Sequence, residues 1–306
     1  MRVSTSMIFD AGVSSMNRQS ADLLHLQQQI ASGRRILRPS DDPVAAARAL
    51  EVTQSRDILT QYTTNQNNAM SALGLVEGQL GSATEILQSV RELVIQAGNP
   101  SLTAANRQSL AVALRAHYNS LMGIANSADG QGQFMFSGYQ GATKPFSGTV
   151  DDLISNALPD VDYHGDDGQR RIQVSATRQI EVSDPGSDVF VNTGNGESVF
   201  KSMATFIGQL ELNDTTGLTT AITKITNAGD NILSARAALG SRMNELESLG
   251  YLNQDLGLQY DQALSNLQDL DYAKAISDLT LKQNQLQAAQ ESFSRISQLS
   301  LFDYLR

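Results

Sequence analysis

The chain has 306 residues, of which 41% are hydrophobic and 6% aromatic, with no cysteine, no tryptophan and a formal net charge of −10. The acidic balance argues against nucleic acid and against an anionic membrane surface as partners. No apolar run reaches the roughly eighteen residues that a membrane span needs, and the lack of cysteine excludes disulfides and thiol chemistry.

A first amphipathic helix is predicted after Met16, with a thin apolar face made by Leu23, Leu26 and Ile30. Gly33 ends this helix. An isolated helix with so few apolar side chains is marginal in water. We therefore expect the segment to stay disordered until a partner covers it.

A charged turn follows, in which three arginines precede two aspartates. These residues are Arg34, Arg35, Arg38, Asp41 and Asp42. Asp42 is a suitable N-cap, and Pro43 suits the first position of the next helix. The arginines fit two interpretations about equally well: a local ion-paired turn, or a contact between subunits.

The longest pattern runs from Leu59 to Ala97, where apolar or aromatic residues alternate three and four apart and only Gln66 interrupts them. This spacing predicts a coiled-coil seam that needs partner helices. Gly98 and Pro100 end the helix. A second helix capped by Thr103 completes an antiparallel hairpin. Its predicted seam is Leu110, Leu114, His117, Leu121, Ile124 and Ala128.

A short strand is predicted where Phe134, Phe136 and Tyr139 alternate. Helical periodicity is then absent until about Asn195. The segments 161–164 and 170–174 flank a Gly-Asp-Asp-Gly stretch, which predicts a β-hairpin, and 179–183 is a third strand.

The best metal candidate is the carboxylate group Asp160, Asp162, Asp166 and Asp167. An EF-hand loop needs a glutamate at its twelfth position, where this chain has Arg171. We therefore predict a solvated acidic hairpin and no metal site. His25, His117 and His164 lie in three separate segments, and no catalytic or cofactor-binding motif is present, so we predict no enzyme and no cofactor.

Helices resume at Ser198, and a long apolar pattern from Leu218 to Leu256 is the predicted partner of the Leu59–Ala97 seam. The last segment again has a sparse stripe, including Leu279, Leu286, Phe293 and Ile296. The predicted fold is mainly α: both chain ends form a long antiparallel helical coiled-coil bundle, with a small β-rich inserted domain in the middle. The predicted domains are terminal segments 1–38 and 265–306, a bundle of 39–140 and 197–264, and an inserted outer domain of 141–196.

Several stretches carry a family resemblance. They are M-R-V-S-T at the start, S-G-R-R-I-x-x-P-S-D-D-P-x-A-A from Ser32, G-x-F-x-F-S-G-Y up to Tyr139, A-x-L-G-x-R-x-N-E-L-E-S-L from Ala237 and S-L-F from Ser300. Together they resemble the bacterial flagellin family. The aromatic stretch and the S-L-F tail are similar to its hook–filament junction branch, whereas residues 149–193 carry no family motif.

The resemblance implies a structural subunit of the bacterial flagellum, exported without a cleaved signal peptide and located outside the cell. Its implied partners are hook-associated protein 1 on the hook side, flagellin on the filament side, identical subunits in a ring-like layer, and a cytoplasmic export chaperone. Filament flagellin and an enzyme-bearing flagellin relative are two alternatives, and a cytoplasmic coiled-coil adaptor is a third. The predicted assembly contacts are Leu23, Leu26, Ile30, Arg34, Arg35, Leu279, Leu286, Phe293 and Ile296.

Overall fold

In the computed structural model the described residues are 5–194 and 196–304. Helices dominate, which confirms the predicted fold class. They are α1 (Thr5–Ser32), α2 (Pro43–Ala97), α3 (Ala104–Ala125), α4 (Val150–Ile154), α5 (Val199–Glu211), α6 (Leu218–Gln268) and α7 (Tyr272–Tyr304), with one π-helical turn at Ser187–Val191. Among the described residues, no helix combines the length and apolarity needed to cross a membrane.

The chain folds into two compact units. We call residues 1–58 with 255–306 the terminal unit and residues 59–254 the central unit. The long helices α2 and α6 contribute to both. The three-domain division made from the sequence stays a prediction.

In the terminal unit the two ends of the chain pair, as predicted. Helix α1 packs along α7, and the rings of Phe9 and Phe293 lie 4.8 Å apart between their centres. Lys282 of α7 reaches Asp22 of α1 at 3.0 Å.

In the central unit the predicted seam of α2 is buried from Gln66 onward, whereas Leu59 and Tyr62 are only partly buried. Its buried apolar members are Ala69, Leu73, Val76, Leu80, Ala83, Leu87, Val90, Val94 and Ala97. Helix α6 is the partner, and the Arg236 guanidinium bonds the Glu77 carboxylate at 2.6 and 3.0 Å. The buried seam offsets the poor helix propensity of the glycines in α2.

Helix α3 begins where predicted, because the Thr103 hydroxyl accepts a hydrogen bond from the Asn106 amide. Its predicted seam is confirmed at Leu114 and Leu121, while Leu110 and Ile124 are only partly buried against the core and Ala128 is exposed beyond the end of the helix. The buried residues are Ala111, Leu114, Tyr118, Leu121 and Ala125. Helix α3 packs on α5, and the Tyr118 ring meets Phe200 edge-on at 5.6 Å. The large ring therefore takes the inward position predicted for His117.

The predicted strand pairing is also wrong. Strand β1 (Phe146–Ser147) pairs with β2 (Asp162–Tyr163), and β3 (Arg171–Gln173) pairs with β4 (Gln179–Glu181), both antiparallel. No hairpin joins 161–164 to 170–174. The carboxylate of Asp166, in the expected turn, instead accepts from the Tyr139 and Gly168 amides at 2.8 Å.

The strand predicted at Phe134–Tyr139 is replaced by a loop with one isolated bridge, between Phe134 and Ala128. Phe136 is fully buried and meets the Phe190 ring at 5.3 Å. Phe136 therefore packs in the hydrophobic core and is not part of a sheet. Buried side chains of the inserted segment belong to the same hydrophobic cluster as the seams of α2 and α6, so both share one core.

Candidate assembly interface

The turn between α1 and α2 is tied to the turn between α6 and α7. Gly33 has a φ of +71°, which glycine adopts without strain. Its carbonyl accepts from the Leu270 amide at 3.0 Å, and the Arg35 amide donates to the Gln268 carbonyl at 2.7 Å. These bonds hold the beginning of α7 beside the end of α1.

The two sequence-predicted arginines of this turn differ. The Arg35 guanidinium donates to the Leu267 carbonyl at 2.8 Å and contacts the Asp42 carboxylate at 3.2 Å. It therefore matches the local ion-paired interpretation. Arg34 forms a backbone bridge with Asp269, and its exposed side chain pairs with no carboxylate among the described residues. Of these two arginines, Arg34 is therefore the one whose guanidinium forms no ion pair within the turn.

The two aspartates of this turn accept hydrogen bonds from nearby backbone amides. Asp42 accepts from the Ala45 amide at 3.0 Å, which confirms the predicted N-cap of α2. Asp41 accepts from the Arg38 amide at 2.9 Å and lies 3.4 Å from His25. Hydrogen bonds from these amides hold the pKa of both carboxyls below the ordinary value of 3.8. These hydrogen bonds therefore favour the ionised form of both carboxyls.

The other predicted contact residues lie on α1 and α7 and are buried to different extents. Leu26 is buried, and Leu23, Ile30, Leu279, Leu286 and Phe293 are half-buried. Helix α1 accommodates the Phe293 ring at Gly12, where a Cβ atom would lie only 2.9 Å from it. The side chain of Ile296 lies outside the described residues.

Several apolar side chains of α1 and α7 are exposed to solvent and do not lie in the contact between these two helices. Leu24 is 57% exposed, Leu281 is 55% exposed and Ile276 is 54% exposed. Leu24 and Leu281 were missed among the sequence-predicted contacts because they lie off the periodic stripe. These exposed residues, Leu24, Ile276 and Leu281, can be recognised only once the pairing of α1 with α7 is known, and we call them the outer apolar face.

The terminal unit has a very small core. Of its described residues, the buried apolar side chains are Leu26, Ala45, Ala49 and Ala275. Three of these are alanines, which bury little area. Burial is the dominant favourable term in folding, so this unit has little of its own to offset the entropy of ordering long helices.

The aspartates of the inserted segment serve as internal hydrogen-bond acceptors. Asp160 accepts from both the amide and the hydroxyl of Ser198, at the start of α5. Asp166 holds the Tyr139 amide, as described above. The prediction of a solvated acidic hairpin is therefore wrong for these two. Across the described part of the chain, no three His, Cys, Asp or Glu side chains are grouped to hold a metal ion.

Comparison with known proteins identifies the family. A family model of the bacterial flagellin N-terminal helical region matches residues 3–141, and one of the C-terminal helical region matches 222–305. The chain is 30% identical to flagellar hook-associated protein 3 of Salmonella typhimurium, and the alignment covers 100% of both chains. The chain belongs to the bacterial flagellin family.

Two further flagellin-family comparisons agree. Flagellar hook-associated protein 3 of Escherichia coli is 30% identical, over 99% of each chain. The crystal structure of flagellar hook-associated protein 3 from Legionella pneumophila superposes with a TM-score of 0.64 at 23% identity, covering 71% of this chain and 98% of that one. The latter supports the fold alone.

Proposed function

We propose that this chain is a structural subunit of the bacterial flagellum that forms the junction between the hook side and the flagellin filament. The observation that carries the proposal is the similarity to flagellar hook-associated protein 3 over the full length of both chains. Alignment over only the terminal helices would fit any flagellin-family protein.

The geometry supports assembly through the terminal unit. Its helices present exposed apolar side chains such as Leu24, Ile276 and Leu281, while its own core is small. Burying a leucine contributes about 1.5–3 kcal/mol. A few such burials against neighbouring subunits would order α1 and α7, and identical subunits would then form a closed layer.

The proposed partners follow from the position of a junction. Hook-associated protein 1 lies on the hook side, and flagellin lies on the filament side. The chain is exported through the flagellar channel without a cleaved signal peptide, after binding a cytoplasmic chaperone. It has no enzymatic role and carries no cofactor.

Localisation on a flagellated cell tests the proposal directly. We expect a labelled copy at the base of each filament, and we expect that cells lacking the gene lose motility and release flagellin into the medium. The purified chain, added to filament fragments, should not extend them. Long filaments made of this chain would instead identify it as filament flagellin.

Export can be tested on the same cells. The protein isolated from sheared flagella should have the same mass and the same N-terminus as the protein held in cells that cannot export it. A smaller mass with a new N-terminus would show that a leader is removed.

A further inference from the structure

The β3–β4 hairpin of the inserted segment is bonded to helix α2 by two consecutive carboxamides. Asn65 donates to the Gln173 carbonyl at 2.8 Å, and Gln66 donates to the Val174 carbonyl at 2.9 Å. Both carbonyls lie at the end of β3. The one polar residue of the α2 seam is thus used to hold the hairpin.

The same hairpin and the chain that follows it are bonded to helix α6. Arg178, in the loop between β3 and β4, binds both carboxylate oxygens of Glu245, at 2.5 and 2.7 Å. Arg242 forms a two-bond pair with Asp184, at 3.0 and 3.1 Å. The hairpin therefore bridges the two long helices.

These contacts lie where the buried core of the central unit ends. Gln66 is the first buried residue of α2 in this unit, and Asn253 is the last buried residue of α6. Their exposed fractions are 4% and 6%. The core thus ends in two carboxamides rather than in apolar side chains.

At this end of the core, each of the two carboxamides has a polar atom that makes no hydrogen bond. Gln66 Oε1 and Asn253 Nδ2 are buried without a hydrogen-bond partner among the described residues. Both side chains line one groove of about 530 Å³ between α2 and α6. Polar groups on a coiled-coil seam specify register at the expense of stability, and unpaired buried ones weaken it further. The end of the seam therefore depends on contacts from outside it.

We propose that the β3–β4 hairpin is a clasp that closes this end of the central unit. It holds α2 through Asn65 and Gln66 and holds α6 through Glu245. Because α2 and α6 continue into the terminal unit, opening of that unit would otherwise spread along both helices into the core. The clasp keeps the central unit closed whether the terminal helices are ordered or not.

Hydrogen exchange on the full chain tests the clasp. Asn65→Ala combined with Arg178→Ala removes one hydrogen bond to α2 and the two-bond ion pair to α6, and neither side chain is buried. We expect amides in 59–73 and 239–254 to exchange about tenfold faster, because local opening loses a hydrogen bond and a charge pair. Amides of α3 and α5 should be unchanged.

Two comparisons make the result specific. Arg171→Ala removes an ion pair to Glu181 that lies within the hairpin, and it should leave exchange in 59–73 unchanged. Arg178→Glu should open the clasp, and Arg178→Glu with Glu245→Arg should close it again. Equal acceleration in α3 and α5 would indicate general destabilisation and overturn the proposal.

A second experiment tests insulation from the terminal unit. Phe293→Asp should abolish the small protection that the marginally stable α1 and α7 have in the monomer, but it should not change exchange in 59–73 while the clasp is intact. In the Asn65→Ala/Arg178→Ala background, the same change should also speed exchange in 59–73. If Phe293→Asp alone opens 59–73, or if the two changes act independently, the hairpin does not insulate the core.

Discussion

Removing the Arg242 side chain should leave a buried carboxylate without its partner. Asp184 is only 7% exposed, and its two oxygens bind the Arg242 guanidinium at 3.0 and 3.1 Å. Breaking a buried pair by deleting one partner costs about 3–5 kcal/mol. We therefore expect Arg242→Ala to lower the free energy of unfolding of the central unit by about 3 kcal/mol, at the lower end because Arg242 itself is partly exposed.

Thermal unfolding followed by circular dichroism measures this loss. The central unit has the size for which 1 kcal/mol corresponds to about 2–4 °C in Tm, so Arg242→Ala should lower its Tm by about 6–12 °C. Asp184→Asn in the same chain should recover part of that loss, because no buried charge remains. Arg171→Ala, which breaks a more exposed pair, is the control and should change stability by less than about 1 kcal/mol. Equal effects of Arg242→Ala and Arg171→Ala would refute the reasoning.

Two further predictions concern helix caps. Thr103→Ala should cost about 1 kcal/mol by removing the bond to the Asn106 amide, whereas Thr103→Ser should be close to neutral, and urea titration compares the two. The pKa of Asp41 and Asp42 is lowered in the folded chain, so their stabilisation is present above pH 3.8 and is lost as the pH falls through the lower folded values. Hydrogen exchange of the first turn of α2, which Asp42 caps, should therefore accelerate beyond its intrinsic change as the pH falls below 3.8. Asp42→Asn, which can cap without ionising, should reduce that acceleration, and an unaltered pH profile would contradict the assignment.

The long helices could be predicted because their signals are local. A spacing of three and four repeated from Leu59 to Ala97 specifies both a helix and a buried face. The predicted N-caps Asp42 and Thr103 likewise accept hydrogen bonds from amides three residues further along the chain. The helical spacing and the N-caps can each be predicted from residues close together in the sequence, and the structure confirms them.

The strand pairing could not be predicted because its signals are non-local. Strands of two or three residues are too short to show an alternating pattern, and the acceptor of Gln66 lies 108 positions away. The turn-like glycines around Asp166 pointed to a hairpin, although the carboxylate binds a loop 27 residues earlier. The clasp could not be predicted either, because its contacts join residues 67 and 108 positions apart in the sequence.

A last prediction concerns whether α1 and α7 are stabilised by the monomer or by its neighbours. Leu286 and Phe293 lie seven residues apart on α7 and are half-buried. In a firmly folded unit, a carboxylate at either position would cost several kcal/mol. The terminal unit buries only four apolar side chains among its described residues, three of them alanines, so it contributes little to monomer stability. We therefore expect Leu286→Asp and Phe293→Asp to leave the main thermal transition of the monomer almost unchanged.

The same substitutions should nevertheless abolish assembly, because the charge must enter a packed seam once neighbouring subunits arrive. Motility should be lost and flagellin should leak into the medium. Gln285→Asp, on an exposed position of the same helix, should assemble normally, whereas Leu80→Asp in the buried seam of α2 should unfold the monomer. A large drop in monomer Tm for Phe293→Asp would show that the chain ends fold before assembly. In that case the outer apolar face of α1 and α7 would dock as a preformed surface, and ordering on assembly would be the wrong mechanism.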